Sequence, residues 1–153
     1  MKNPLPWRIA MAAYLACLAA VGFWPTPVDK PVQGTLASVL RYLHDHGVPG
    51  WVNYKFVEAS ANVALFIPFG ILIAMLAPGM KWWRLVALGA LASICIELGQ
   101  LLFMAARFAT LMDILMNTLG ALIGVALVRM ILRKISANPT STTATLSSHK
   151  DPL

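Results

Sequence analysis

Glu97, Gln100, Asp113 and Asn117 are polar side chains set in stretches that are predominantly apolar. Residues 85–104 read LVALGALASICIELGQLLFM and residues 113–132 read DILMNTLGALIGVALVRMIL, with Arg107 in the short connection between them. Asn62 opens a third apolar stretch, residues 59–77. An ionisable side chain at membrane depth costs about 2.5–3.5 kcal/mol on the insertion scale, so it usually meets a partner, a cavity or a ligand. Three chemistries fit such a set. A carboxyl shielded from water can act as a general acid or base, with Glu97 or Asp113 in that role and Arg107 steadying an oxyanion. Arg107 can instead meet a phosphate or carboxylate while the carboxylates and amides hold hydroxyl or amide groups of a ligand. Or the residues bond only to one another as an interhelical clamp, at about 0.6 kcal/mol per hydrogen bond.

The elements that position them are helices. The chain has 153 residues, 59% hydrophobic and 12% charged, half the charge of an ordinary soluble domain. Its apolar runs are too continuous for the alternation of a barrel strand. Backbone groups facing lipid must bond within their own segment, so the expected fold is all-α. It is a polytopic membrane helix bundle with spans at about 7–24, 59–77, 85–104 and 113–132, forming one domain over residues 1–134. An uncleaved first helix is expected, because its apolar run ends in Gly-Phe-Trp-Pro with no small-residue cleavage site. Trp7 and Trp24 read as its interfacial anchors.

Between the first two spans, Leu36, Val39, Leu40 and Leu43 fall at helical spacing. They predict a short amphipathic surface helix over 35–46, with Thr35 as N-cap and Gly47 as C-cap. Trp51, Tyr54 and Phe56 read as an aromatic belt at re-entry. Pro68 predicts a kink in the second span. Gly70 permits bending or a close neighbour. Gly120-x-x-x-Gly124 is a small-residue pattern for close helix approach or for contacts between copies. The low-complexity tail, residues 135–153, is expected to be disordered.

Net charge is +6, but the basic residues flank the spans, which reads as topology and not as nucleic-acid binding. Four spans put both termini on one side. That side carries Lys2, Arg8, Lys81, Arg84, Arg129, Arg133, Lys134 and Lys150, against Lys30, Arg41, Lys55 and Arg107 on the other. The bias predicts cytoplasmic termini. Glu58, Asn62, Glu97, Gln100, Arg107, Asp113 and Asn117 then converge near the outer leaflet, and Arg107 is expected to pair with Glu97 or Asp113. Cys17 and Cys95 lie in predicted spans and read as small packing residues. His44 and His46 sit on a polar helix face and read as solvated. No metal-ligand spacing, phosphate-binding loop or other cofactor motif is present, so the expectation is no metal and no cofactor.

Three motifs together resemble one family. Asn62-Val-Ala-Leu-Phe-Ile-Pro-Phe-Gly70, Ser93-x-x-x-Glu97-x-x-Gln100, and Arg107 followed by Asp113-x-x-x-Asn117-Thr-x-Gly120 are similar to signatures of the VanZ-like membrane proteins, in order and spacing. The resemblance implies a multi-pass protein of the bacterial cytoplasmic membrane acting near its outer leaflet. At that place the polar cluster itself is expected to hold a membrane lipid or lipid-linked envelope precursor, or to serve in an accessory subunit of an envelope complex, with a homo-oligomer or envelope-protein partner. The family's founding member is an accessory protein in teicoplanin resistance, and no established reaction follows from the resemblance.

Overall fold

The computed structural model describes residues 4–23, 33–103 and 110–137. Five helices follow in order: α1 (Leu5–Gly22), α2 (Gln33–Asp45), α3 (Tyr54–Leu76), α4 (Trp82–Phe103) and α5 (Leu111–Ala137). All but α2 are long and apolar enough to cross a membrane. At about 1.5 Å per residue, even the 18-residue α1 approaches the roughly 30 Å of a hydrocarbon core. The fold is the expected all-α bundle.

Local chemistry sets the helix ends, and it moves several of them from their expected places. Pro residues at the start of α1 leave no amide unbonded that the helix needed. α3 begins five residues before the expected 59, because the Asn53 side chain caps it by accepting the Phe56 amide at 3.2 Å. The charged Lys55 and Glu58 therefore lie on helix, not on loop. α2 begins at Gln33, so Thr35 sits inside the first turn and not at its cap. Its other end is as expected. Gly47 has φ +91°, its amide reaches the His44 carbonyl and the Val48 amide reaches the Leu43 carbonyl, a Schellman closure that favours glycine. His44 Nε2 lies 3.0 Å from the Val52 carbonyl and His46 Nδ1 lies 2.7 Å from the Tyr42 carbonyl. Carbonyls only accept, so each of these nitrogens donates: half-buried His44 ties the end of α2 to the segment before α3, whereas His46 stays exposed and closes on its own helix. α5 runs on to Ala137, taking in residues 135–137 that were expected in the tail. The rest of the tail and Trp24 lie outside the described residues.

α5 is the central helix. Val63 of α3 lies opposite Gly120 and Ile67 opposite Gly124, so α3 and α5 run parallel. A Cβ on either glycine would stand 2.2 Å from the facing carbonyl oxygen, closer than any atoms pack, so the contact exists only without side chains there. Gly70 meets Ala121 in the same way, and Ala121 also faces Gly89 of the antiparallel α4. The small-residue pattern is thus used inside the chain, and the contacts of Gly120 and Gly124 are intramolecular. α3 passes Pro68 without a break.

Two apolar clusters fill the interior. Leu18, Phe66, Phe69 and Ala121 join α1, α3 and α5. Ala74, Leu85, Val125 and Val128 join α3, α4 and α5 toward the other end. There the Arg129 guanidinium donates to the Met80 carbonyl and ties α5 to the α3–α4 turn. Of the four membrane-length helices α1 is the lightest-held: Leu18 is its one buried residue, and the Tyr14 hydroxyl donates to the Leu65 carbonyl of α3. Cys17 and Cys95 are exposed on the outer surface and do not pack in the core as expected. Leu91, Leu98, Leu101, Leu115 and Met130 share that exposure, an outer belt suited to acyl chains.

The glycine contact gives a direct prediction. Gly124→Ala forces α3 and α5 apart and should lower stability by about 1–3 kcal/mol. Gly79→Ala, where nothing lies within 4 Å, should leave it unchanged. Thermal denaturation of the detergent-solubilised protein, followed by size-exclusion chromatography, distinguishes the two.

Candidate functional site

The polar residues meet at the end of the bundle where α3 and α5 begin and α4 finishes. Their placement follows from the glycine docking, which fixes α3 beside α5, and from helical spacing. Ser93, Glu97 and Gln100 lie at i, i+4 and i+7 on the α4 face turned toward α5. Asp113, Asn117, Gly120 and Gly124 continue one inward face of α5.

Thr110 joins the two carboxylates. As the residue before α5 it caps the helix, its Oγ1 accepting the Asp113 amide at 3.1 Å. Its hydroxyl donates to Asp113 Oδ2 at 2.5 Å, and its own amide donates to Glu97 Oε2 of α4 at 3.3 Å. In an ordinary capping box that amide would return to the acid of its own helix; here it bridges to the neighbouring one. The other Asp113 oxygen, Oδ1, accepts from Asn62 Nδ2 at 2.6 Å. Thus α3, α4 and α5 are joined through four residues.

One turn deeper, Asn117 Nδ2 donates to Ser93 Oγ at 2.9 Å. On the α1 side, Gln100 Nε2 donates to the Gly22 carbonyl at 2.8 Å. That bond satisfies a carbonyl at the end of α1 and docks the helix. Burial rises inward: Thr110 is exposed, Asn62 and Asp113 are half-buried, and Ser93, Glu97, Gln100 and Asn117 are at most 8% exposed. The Asn117 Oδ1 atom is buried and has no hydrogen-bond partner. A buried acceptor left unmade costs about 1–3 kcal/mol, so the innermost point of the cluster favours any group that brings a donor.

Of the residues singled out from sequence, the structure brings Asn62, Glu97, Asp113 and Asn117 into one connected region, with Gln100 at its α1 edge. Glu58 is exposed one turn before Asn62. Pro68 is exposed on α3, while Gly70, Gly120 and Gly124 lie deeper and act in helix docking. Arg107 and its expected pairing lie outside the described residues. Thr110 was not among the residues singled out, and Ser93 entered only as the first residue of the α4 motif, with no role expected of it. Thr110-x-x-Asp113 is a capping-box pattern that spacing alone could have flagged. Ser93 stands one turn before Glu97, on the same face.

Thr110→Val removes both hydroxyl bonds and should cost about 1 kcal/mol, the usual worth of an N-cap, while Thr110→Ser should retain nearly all of it. Thermal midpoints of the two purified variants test this.

No curated protein and no solved structure matches the chain. The family model described as VanZ/LLP1 matches residues 11–133. The matched stretch reaches from α1 into the last turns of α5 and contains the whole polar cluster and the glycine-docked core. The chain therefore belongs to the VanZ/LLP1 family, as a VanZ-like multi-pass membrane protein.

Proposed function

We propose that this VanZ-like protein binds a lipid-linked component of the bacterial cell envelope at the polar end of its bundle. In this reading both termini are cytoplasmic and the protein sits in the cytoplasmic membrane, so the Asn62–Asp113 end opens toward the outer leaflet. The charge distribution supports that orientation. Arg8, Lys81, Arg84, Arg129, Arg133 and Lys134 all belong to the opposite end, as positive-inside topology requires.

The observation that carries the reading is the unpartnered Asn117 Oδ1. It lies at the inner limit of a cluster in which Asp113 and Glu97 already act as acceptors. The region is rich in acceptors, so the complementary ligand carries donors: sugar hydroxyls, amide N–H groups or an amine. Lipid-linked glycan and peptide precursors carry such groups on an apolar anchor, and the apolar outer surface of α4 and α5 suits the anchor. Loss of the protein should then alter sensitivity to glycopeptide antibiotics, whose targets are envelope precursors.

A second reading is favoured by the pairs already formed. The bonds from Asn62 to Asp113, Asn117 to Ser93, Thr110 to Glu97 and Gln100 to Gly22 each join two helices or cap one against another. On that reading the cluster is a clamp in an accessory subunit of an envelope complex.

Asn117→Leu separates the two. For a clamp, Asn117→Leu breaks the Asn117–Ser93 link between α5 and α4 and lowers stability by about 1–3 kcal/mol, while lipid content is unaltered. For a binding site, the variant accumulates in the membrane at wild-type level but loses a co-purifying species. Mass spectrometry of lipids extracted from wild type, Asn117→Leu and Asp113→Asn reads this out. A lipid profile unchanged in both variants would sink the binding proposal.

A further inference from the structure

At the end of the bundle remote from the polar cluster, the last turns of α5 carry a groove lined by Leu127, Met130, Ile131, Arg133 and Lys134. Leu127, Met130, Ile131 and Lys134 recur at helical spacing and share one face. The three apolar residues are exposed, Met130 and Ile131 by more than half. They point away from the buried face of Ala121, Gly124, Val125 and Val128. The groove is separated from Asp113 by about 27 Å along the helix axis, so it is independent of the proposed site.

Its surroundings carry a single sign of charge. Among the described residues the acidic side chains are Asp45, Glu58, Glu97 and Asp113, all on the loop helix or at the opposite end of the bundle. This end holds Arg8, Lys81, Arg84, Arg129, Arg133 and Lys134, with Trp82 and Trp83 exposed beside them. Arg129 is occupied by the Met80 carbonyl, and Arg84 lies 5.1 Å over the Trp83 ring. Arg133 and Lys134 line the groove itself. Cations at the rim of an apolar groove, at the depth where a membrane-spanning helix leaves the hydrocarbon, match a phosphate above an acyl chain.

We infer that this groove binds an anionic phospholipid, its phosphate held by Arg133 and Lys134 and an acyl chain laid along Leu127, Met130 and Ile131. The lipid would fix the height of α5 in the bilayer and cover the end of the helix that the bundle leaves open. A zwitterionic lipid satisfies the groove but not the charge, so the preference is for net negative headgroups.

The test uses the full chain reconstituted in nanodiscs containing equal phosphatidylglycerol and phosphatidylethanolamine, followed by native mass spectrometry of the released protein. Wild type should retain phosphatidylglycerol preferentially. Arg133→Gln with Lys134→Gln should reduce that retention about thirtyfold, as expected when two cations at a membrane surface, each contributing about 1 kcal/mol, are lost. Leu127→Trp, which fills the groove and keeps every charge, should reduce it as well. Lys81→Gln with Arg84→Gln should reduce it much less. Retention unchanged in the first two variants overturns the inference. So does an equal loss in the Lys81/Arg84 pair, which would mean general attraction to a basic end. A dimer in wild type that the groove substitutions abolish also overturns it, by identifying the occupant as a second copy of the chain.

Discussion

The backbone contact between α3 and α5 is the constraint on which the rest of the bundle depends. Gly120 and Gly124 bring the two helices so close that carbonyl oxygens of Val63 and Ile67 occupy the space side chains would fill. In lipid there is no hydrophobic drive to press apolar helices together, so the attraction must come from close packing and from polar groups. The glycines supply the first and set the second. With α3 held parallel and adjacent to α5, the Asn62 amide reaches Asp113 at 2.6 Å. Ala121, pinned between Gly70 and Gly89, extends the same close approach to α4 and brings Ser93 opposite Asn117.

Much of this was legible in the sequence, and the reason differs by feature. The four spans follow from length and hydropathy alone, since lipid admits few other solutions. The convergence of Asn62, Glu97, Asp113 and Asn117 follows from alternating span direction and a fixed rise per residue. Helix ends were less legible, because they depend on single caps. Asn53 draws the start of α3 back past Lys55 and Glu58, two charges that read as loop when burial is the guide. What the sequence could not show is which polar group finds which partner. Gln100 shares a helix face with Glu97, and nothing in its spacing points to the Gly22 carbonyl of α1 that it reaches. Tyr14 likewise donates to a carbonyl on α3. Backbone acceptors carry no residue signature, so bonds to them leave no trace in composition or spacing.

The two ends of the bundle are chemically opposite, and that asymmetry bears on how it sits in a membrane. One end gathers the acidic and amide side chains into a network that is largely satisfied within the protein. The other gathers arginine, lysine and tryptophan on its surface, where they meet the headgroup region. The inner groups are costly in lipid and are therefore paired, whereas the outer ones are extended side chains that reach water or phosphate. Each end thus solves a different solvation problem with the residue types suited to it.

Clamp and site need not be alternatives at the level of individual residues. A network meant only to hold helices would be expected to close on itself, since each unmet group subtracts from the stability the others add. Here the outer layer does close: both Asp113 oxygens are engaged, and Thr110 spends its amide and its hydroxyl on two different carboxylates. The inner layer does not, because Asn117 gives its N–H to Ser93 while its carbonyl oxygen stays unmatched in a protein-lined interior. A leucine at that position would fill the same space without the penalty, and Ser93 could bond back to its own helix. An amide that holds one partner and offers an acceptor to another serves a visitor better than it serves the fold, so under the proposed function the ligand would be met at Asn117 and the clamping left to the layer above it.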